Sequence, residues 1–447
     1  MKLPGLLLLL SLIMMVLLPG ILLDRFGIFY TRIGGAMWEK IHPSTYICLL
    51  AVLAAAFARA DPMRFVVYLA RQEPRVMLFF AGLVAIALTT FMLEGIAELG
   101  FLLDTFFVPA MIAMILSVTP PATRRLIFKT IVALVIANAI VGIVETALQE
   151  QFIPPTNADG SPYFDLQFRP WALLQHPLNN ALVTATTLII AYPMIRSSLW
   201  RLALLLLLLT ALFAFGGRAA FAGSVAALTL MLAAALGGGL LSRRFTYGQS
   251  IYVLVLVMAV PMVLAVLLAT TNIGERIADN LSWDSSAETR LQVYRLLDMM
   301  SGQDLWFGIG SRRLAEMSSA IGGQGIIIEN FWLVLLARLG LLQFVLFVAI
   351  FALFLSRLWQ GAAGNVRLGL VLFMLVASTN NSLSVKGNAL SLITALILCA
   401  QALRPAVPRA MPQRHTLHPL RRPPLIRPRL RPLPGSAQRM TSADVEH

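Results

Sequence analysis

Charge is the scarcest property of this chain: only 13% of its 447 residues are Asp, Glu, Lys or Arg, against 58% hydrophobic. That ratio excludes a soluble globular domain, which cannot use so much apolar surface in a core of this size. Cysteine is nearly absent, with Cys48 and Cys399 alone. Both fall inside apolar stretches assigned to opposite halves of the bilayer, and they read as small hydrophobes rather than as a disulfide or metal pair. No phosphate-cradling Walker sequence, HExxH helix, nucleophile elbow or Cys/His cluster is present, so nothing in the sequence calls for a metal or a cofactor. Period-two alternation is also missing, which excludes a transmembrane barrel.

What the chain has instead is a succession of apolar runs of about 17 to 25 residues, the length that crosses a hydrocarbon layer of roughly 30 Å. With a mean hydropathy of +0.80, this predicts an all-α, polytopic integral membrane protein of about twelve spans. The expected spans are Leu3 to Leu23, Ser44 to Ala58, Val76 to Leu93, Leu99 to Val118, Leu126 to Leu148, Asn179 to Ile195, Leu199 to Phe215, Ala219 to Leu241, Ser250 to Thr270, Ile326 to Leu355, Val366 to Val385 and Asn388 to Leu403. No small-x-small cleavage motif follows Leu18-Pro19-Gly20, so the first span reads as an anchor rather than a signal peptide.

Basic residues orient the chain. Arg59, Arg64, Arg71 and Arg75, then Arg124, Arg125 and Lys129, Arg196 and Arg201, Arg243 and Arg244, and Arg357 and Arg367 all fall in loops on one side of a twelve-span topology. The positive-inside rule makes that side cytoplasmic, along with both termini. The expected domains are a membrane body over 1–403 and a tail over 404–447. A large loop, 271–325, lies outside before the third-last span, and a smaller one covers 149–178. The tail holds nine arginines against Asp444 and Glu446, half of the chain's formal +14, and is rich in proline. It is expected to be disordered and drawn to anionic headgroups, at about 1 kcal/mol per basic residue near the surface. Without interleaved aromatics, it gives no reason to expect a nucleic-acid partner.

Candidate chemistry therefore falls on the polar residues that the topology gathers at the outer face. Beyond Arg201 at its start, Arg218 is the only charged residue between Leu199 and Leu241, at the turn Gly216-Gly217-Arg218. It could simply snorkel, yet an outward turn is where the topology rule disfavours arginine, and ionisable residues at the membrane are functional candidates. The large loop carries Arg276, Arg290, Arg295, Arg312 and Arg313. If Ala287 to Met300 is a helix capped by Ser285 or Ser286, Val293, Tyr294, Leu296, Leu297 and Met300 share an apolar arc at about 100° per residue. Arg290 falls inside that arc and Arg295 opposite. Arg290 thus needs either an internal acid, Glu288 or Asp298, or an anionic ligand. His176 precedes Pro177 and reads equally well as a capping residue or a functional one. Asn179 and Asn180, just inside the bilayer, need polar partners. Glu329 and Asn330 open span ten, and Asn380, Asn381 and Lys386 close span eleven.

These residues resemble the O-antigen ligases and related surface-polysaccharide polymerases of bacteria. The resemblance lies in the overall plan and in three local sequences: Phe215-Gly216-Gly217-Arg218-Ala219-Ala220; Ser286-Ala287-Glu288-Thr289-Arg290 with Trp306-Phe307-Gly308-Ile309-Gly310; and Glu329-Asn330-Phe331-Trp332 with Leu339-Gly340-Leu341. The segment from Arg169-Pro170 to Asn180 is also similar. It implies a metal-independent, cofactor-free glycosyltransferase of the bacterial inner membrane that uses a polyprenyl-pyrophosphate-linked glycan, alongside other polysaccharide-assembly proteins. Arg218 and Arg290 match the family's arginines and would hold the diphosphate, and Glu329 or His176 would be the base. The ligases carry a histidine near the start of the span after the large loop, where this chain has Glu329-Asn330, and that departure favours a repeat-unit polymerase over ligation. A transporter or flippase of a lipid-linked anion remains the alternative from another class.

Overall fold

The computed structural model describes residues 2–32, 34–58, 61–95, 99–156, 168–242, 294–322, 328 and 330–403, with the side chains of 94, 236–242 and 321–322 excepted. Every regular element among them is a helix. In chain order they are α1 (Leu3–Leu17), α2 (Gly20–Arg25), a 3-10 turn (Met37–Lys40), α3 (Pro43–Phe57), α4 (Pro62–Gln72), α5 (Pro74–Glu94), α6 (Leu99–Val118), α7 (Pro121–Leu148), α8 (Pro177–Ala191), α9 (Ser198–Ala214) and α10 (Arg218–Ser242). After an interval outside the described residues come α11 (Arg295–Met299), α12 (Gly302–Phe307), α13 (Gly310–Gly322), α14 (Phe331–Trp359), α15 (Gly364–Ser378) and α16 (Ala389–Ala402).

Five of these, α5, α6, α7, α10 over Arg218–Ala235, and α14, are long and apolar enough to cross a membrane, and α3 with α4 is a sixth candidate as one bent pair. Shorter apolar helices are α1, α9, α15 and α16. Exposed side chains agree with a lipid environment. On α5, Val76, Phe79, Leu83 and Ile86 are buried, while Leu78, Leu88, Met92 and Leu93 on its outer face are more than half exposed. Water would penalise such a face, whereas lipid tails accept it. Three helices, α6, α8 and α16, are buried almost throughout and form the centre of the bundle. Around them, Phe79 stacks on Phe354 at 4.5 Å and Phe106 meets Phe347 edge-on at 4.8 Å, joining α5, α6 and α14.

Contacts sort the helix ends into two groups. At one end, Glu73 before α5 receives a bidentate ion pair from Arg357 near the end of α14, one arm 2.6 Å long. There too, Asn365 of α15 donates to the Ile190 carbonyl of α8 at 2.9 Å. At the other end lie the last turn of α1, the first turns of α3, α8, α14 and α16, and the connection 379–388. There Phe331 N–H donates to Asn380 O at 3.1 Å, and Trp332 Nε1 to Ser378 Oγ at 3.0 Å.

Several expected boundaries move. The first span breaks at Pro19, which ends α1 and starts the short α2. Span eleven stops at Ser378, so Asn380, Asn381 and Lys386 lie in a polar connection rather than closing a helix. Span ten begins at Phe331 with Asn330 as its cap, the Asn330 Oδ1 accepting Trp332 N–H at 3.1 Å and Leu333 N–H at 3.3 Å. Within α6, residues Leu103–Phe107 form a π-turn that carries Asp104.

The described part of the large loop is not extended chain. It folds into α11, α12 and α13, whose Leu296, Met300 and Leu314 pack with Ile328, Leu333, Val334 and Ala337 in a second apolar cluster. Within the expected helix from Ala287 to Met300 only Arg295–Met299 is described as helical, and Tyr294 is 55% exposed, outside the buried arc proposed for it. Leu296 and Met300 do point inward and Arg295 is exposed. Asp304 closes a capping box with Ser301 and pairs with Arg313 at 2.6 Å. Burial alone would raise the Asp304 carboxyl, but the hydrogen bonds from Ser301 and the Arg313 charge hold it below the usual carboxylate range. Gly308, at φ +88°, and Gly340, at φ +71°, meet backbone to backbone: a Cβ on Gly340 would lie 2.4 Å from Gly308 N. Two of the local sequences singled out above, around Gly308 and Gly340, are thus one contact that only glycine permits on either side.

Candidate functional site

A cavity of about 260 Å³, lined largely by polar residues, opens at the second end of the bundle, among α1, α3, α6, α8 and α16. His-Pro dipeptides begin two of these helices. His42 caps α3, its Nδ1 accepting Ser44 N–H at 3.2 Å, and His176 caps α8, its Nδ1 accepting Leu178 N–H at 3.2 Å. In each, proline at the first helical position has no N–H to lose, and the imidazole satisfies the next donor. With Nδ1 accepting Ser44 N–H, the neutral ring carries its proton on Nε2, 2.7 Å from Leu18 O. Burial pushes the His42 pKa down, more than the Leu18 carbonyl and the Asp104 charge push it up.

Asp104 anchors one wall. Its Oδ2 accepts the Tyr30 hydroxyl at 2.9 Å, its Oδ1 the Thr45 hydroxyl at 2.6 Å, and both oxygens the His42 N–H at 3.2 Å. A buried carboxylate survives only with such support. Tyr30 is correspondingly raised well above the ordinary phenol value, first by burial and then by the Asp104 charge. Lys386 enters from the connection between α15 and α16. It donates to Tyr30 O at 3.0 Å and Lys40 O at 2.9 Å, with its ammonium 4.7 Å from the Tyr30 ring centre. Thr105 accepts Gly387 N–H at 3.2 Å and donates to Val385 O at 2.9 Å, fixing the same connection.

The opposite wall is the chain before α8. Glu145 accepts Ala172 N–H at 2.9 Å, Asn138 accepts Leu173 N–H at 2.9 Å and Asn180 accepts Leu174 N–H at 3.2 Å. Three side chains from two helices thus take three successive backbone donors. The segment they hold includes Ala172 at φ +42° and Gln175 at φ +66°, conformations that non-glycine residues rarely adopt. Gln175 and His176 are thereby presented to the cavity. Asn179 Nδ2 reaches Leu174 O at 3.2 Å and Asn388 Oδ1 at 3.5 Å. Its Oδ1, and the hydroxyls of Ser382 and Ser391, are buried without a hydrogen-bond partner, and all three residues line the cavity.

Of the residues expected to carry function, His176 lines this cavity. Arg218 is exposed at the first residue of α10, on the same end of the bundle, because Gly217 packs on Ala181 in the first turns of α8: a Cβ there would lie 2.4 Å from that of Ala181. Arg290 and Glu329 lie outside the described residues, although Asn330 beside Glu329 is the cap of α14. Tyr30, His42, Asp104 and Arg338 were not singled out from sequence. Arg338 lies 4.4 Å over Phe101 and donates to Ser384 O at 3.0 Å, linking the kinked start of α14 to the cavity connection.

Comparison with models of known protein families gives no match. Comparison with curated proteins gives no significant relative either. Among the described residues no group of three or more His, Cys, Asp and Glu side chains stands together that could hold a metal ion. What the cavity offers a ligand is hydrogen bonding from hydroxyl, amide and imidazole groups around one acid and one ammonium, and its charges are already engaged by protein partners.

Proposed function

We propose that this protein is a membrane-embedded glycosyltransferase that acts on polyprenyl-pyrophosphate-linked oligosaccharides in bacterial surface-polysaccharide assembly, with polymerisation of repeat units favoured over ligation. In this proposal the chain crosses the inner membrane twelve times with both termini cytoplasmic, and the loop 271–325 faces outward. The observation that carries it is the junction of Gly217 with Ala181, which heads two neighbouring helices with Arg218 and His176 at the end of the bundle where the large loop also docks. Support comes too from the order of the motifs shared with the O-antigen ligase and polymerase family, two of which meet at Gly308 and Gly340.

The chemistry follows from the bond that breaks. An acceptor hydroxyl oxygen attacks the anomeric carbon of the lipid-linked sugar, the bond from that carbon to the pyrophosphate oxygen breaks, and its electron pair leaves with the pyrophosphate. Arg218 and Arg290 stabilise that developing charge, which fixed guanidinium groups do well in a site of reduced dielectric. The acceptor proton must go to a base. The His176 Nδ1 is taken by Leu178 N–H, so a neutral His176 carries its proton on Nε2 and serves as a donor. Glu329, at the re-entry after the loop, is left as the favoured base. Reconstituted protein supplied with a polyprenyl-pyrophosphate oligosaccharide is expected to lengthen it, and unchanged chain length would reject the proposal.

Transport of the same lipid-linked anion is the second reading. Asp104, a buried acid on a π-turn inside α6, favours it, because interrupted helices and intramembrane acids recur in transporters.

A further inference from the structure

We propose that the cavity between α3, α6, α8 and α16 is a binding site for one uncharged sugar ring, and that it selects neutral pyranoses over uronic acids and phosphate. This deepens the glycan reading above by naming a pocket and a preference, but its test requires no transfer.

Size sets the first limit. Pockets for drug-sized ligands span about 300 to 1,000 Å³, so 260 Å³ holds about a single ring within its walls. The unpaired hydrogen-bonding groups in its wall set the second. Asn179 Oδ1, Ser382 Oγ and Ser391 Oγ come from α8, the 379–388 connection and α16, and their residues are 7%, 4% and 0% exposed. Native structures rarely leave such groups unpaired without a reason. An amide oxygen requires a donor, and a serine hydroxyl both gives and takes. Ring hydroxyls meet both demands at once, whereas a carboxylate group brings acceptors only, so discrimination between sugars with and without one rests on charge.

Charge sets the third limit. Lys386 and Asp104 line the same cavity with opposite sign, and each is engaged by the protein: the ammonium by two carbonyls, the carboxylate by Tyr30, Thr45 and the His42 N–H. The first turns of α3 and α8 would attract an anion, but His42 and His176 already cap them. An anionic ligand would lose its hydration here and find no surplus positive charge in return.

The test uses full-length protein in lipid nanodiscs with no lipid-linked donor, and saturation-transfer NMR. The probes are the methyl glycosides of glucose, galactose, N-acetylglucosamine and rhamnose, with methyl glucuronide and inorganic phosphate as charged competitors. At least one neutral glycoside is expected to bind saturably and to resist both competitors. Ser391→Ala and Ser382→Ala, which keep the shape of the wall, should each weaken it about fivefold, the value of one neutral hydrogen bond. Ser391→Leu, which fills the cavity, should abolish binding, and if it does not fold the alanine variants carry the test. No saturable binding by any neutral glycoside would mean that the cavity holds water alone and would overturn the proposal. Binding indifferent to both alanine variants, or glucuronide binding equally well, would also overturn it. Transfer without this binding rejects the pocket alone, and this binding without transfer rejects the transferase reading alone.

Discussion

At one end of the bundle Glu73 and Arg357 close on each other in a bidentate pair, and the Ile190 carbonyl at the last turns of α8 is tied to Asn365. At the other end Asp104 is equally well served, with four hydrogen bonds, yet a few residues away in the same cavity Asn179, Ser382 and Ser391 keep polar atoms without partners. The first end spends its charged pair and Asn365 on holding helices together, with the Tyr192 hydroxyl left unpaired beside them. The second spends part of its polar groups in the same way and leaves three more unpaired in residues that line a cavity. Buried polarity alone therefore does not mark a site, and neither does a missing partner alone, since Thr187 and Tyr192 also keep unpaired hydroxyls away from the cavity; the two together at a cavity wall do.

The largest effect is expected at the closed end. Arg357→Ala leaves Glu73 buried without its partner and should lower stability by about 3–5 kcal/mol, read as a fall in thermal unfolding midpoint in detergent, while the surviving folded protein keeps its activity. A variant of unchanged stability would show that the closed end is not the stability determinant proposed. Next in size is Arg218→Ala at the open end, expected to cost about 10²–10³ in transfer rate with unfolding almost unmoved; normal polymer from this variant would remove the pyrophosphate role. Third, Gly340→Ala places a Cβ against the Gly308 backbone at φ +71°, costing about 1–3 kcal/mol. Faster proteolysis within 294–322 should report the undocked loop, and an unaltered cleavage pattern would contradict the glycine contact.

The smallest effect concerns pH. His42 is held neutral by burial, so its folded pKa lies below the ordinary value of about 6.5. Its contribution is present above that value and is lost as pH falls through the lowered one, since the unfolded chain binds the proton first. The unfolding midpoint should therefore decline on acidification from pH 7.5 to 5.5, and His42→Gln should flatten that decline. An identical slope in both proteins would place the acid sensitivity elsewhere.

Much of the fold was legible because lipid-facing helices tolerate no ambiguity about apolarity: the long runs that become α5, α6, α7 and α14 are visible without any structure. Boundaries were less so. Leu383 and Val385 make the 379–388 connection look like the end of a span, and only its hydrogen bonds to α1, α6 and α14 show it as a polar hub. His176 could be found from Pro177 and the paired asparagines that follow. Asp104 could not be placed beside it, because it sits 74 positions from Tyr30 and 62 from His42 in sequence and was absorbed into an apolar span. Two signals were available nonetheless: a lone acid inside such a span, and the His-Pro dipeptide that starts both α3 and α8.

What the open end does with a lipid-linked glycan separates a transferase from a transporter. Purified protein in proteoliposomes, given a polyprenyl-pyrophosphate oligosaccharide and followed by product length, tests it most directly. Chains that lengthen with wild type and fail to lengthen with Arg218→Ala are the predicted result. Substrate that crosses the bilayer at its original length, with no new glycosidic bond, would contradict the transferase and leave a transporter in its place.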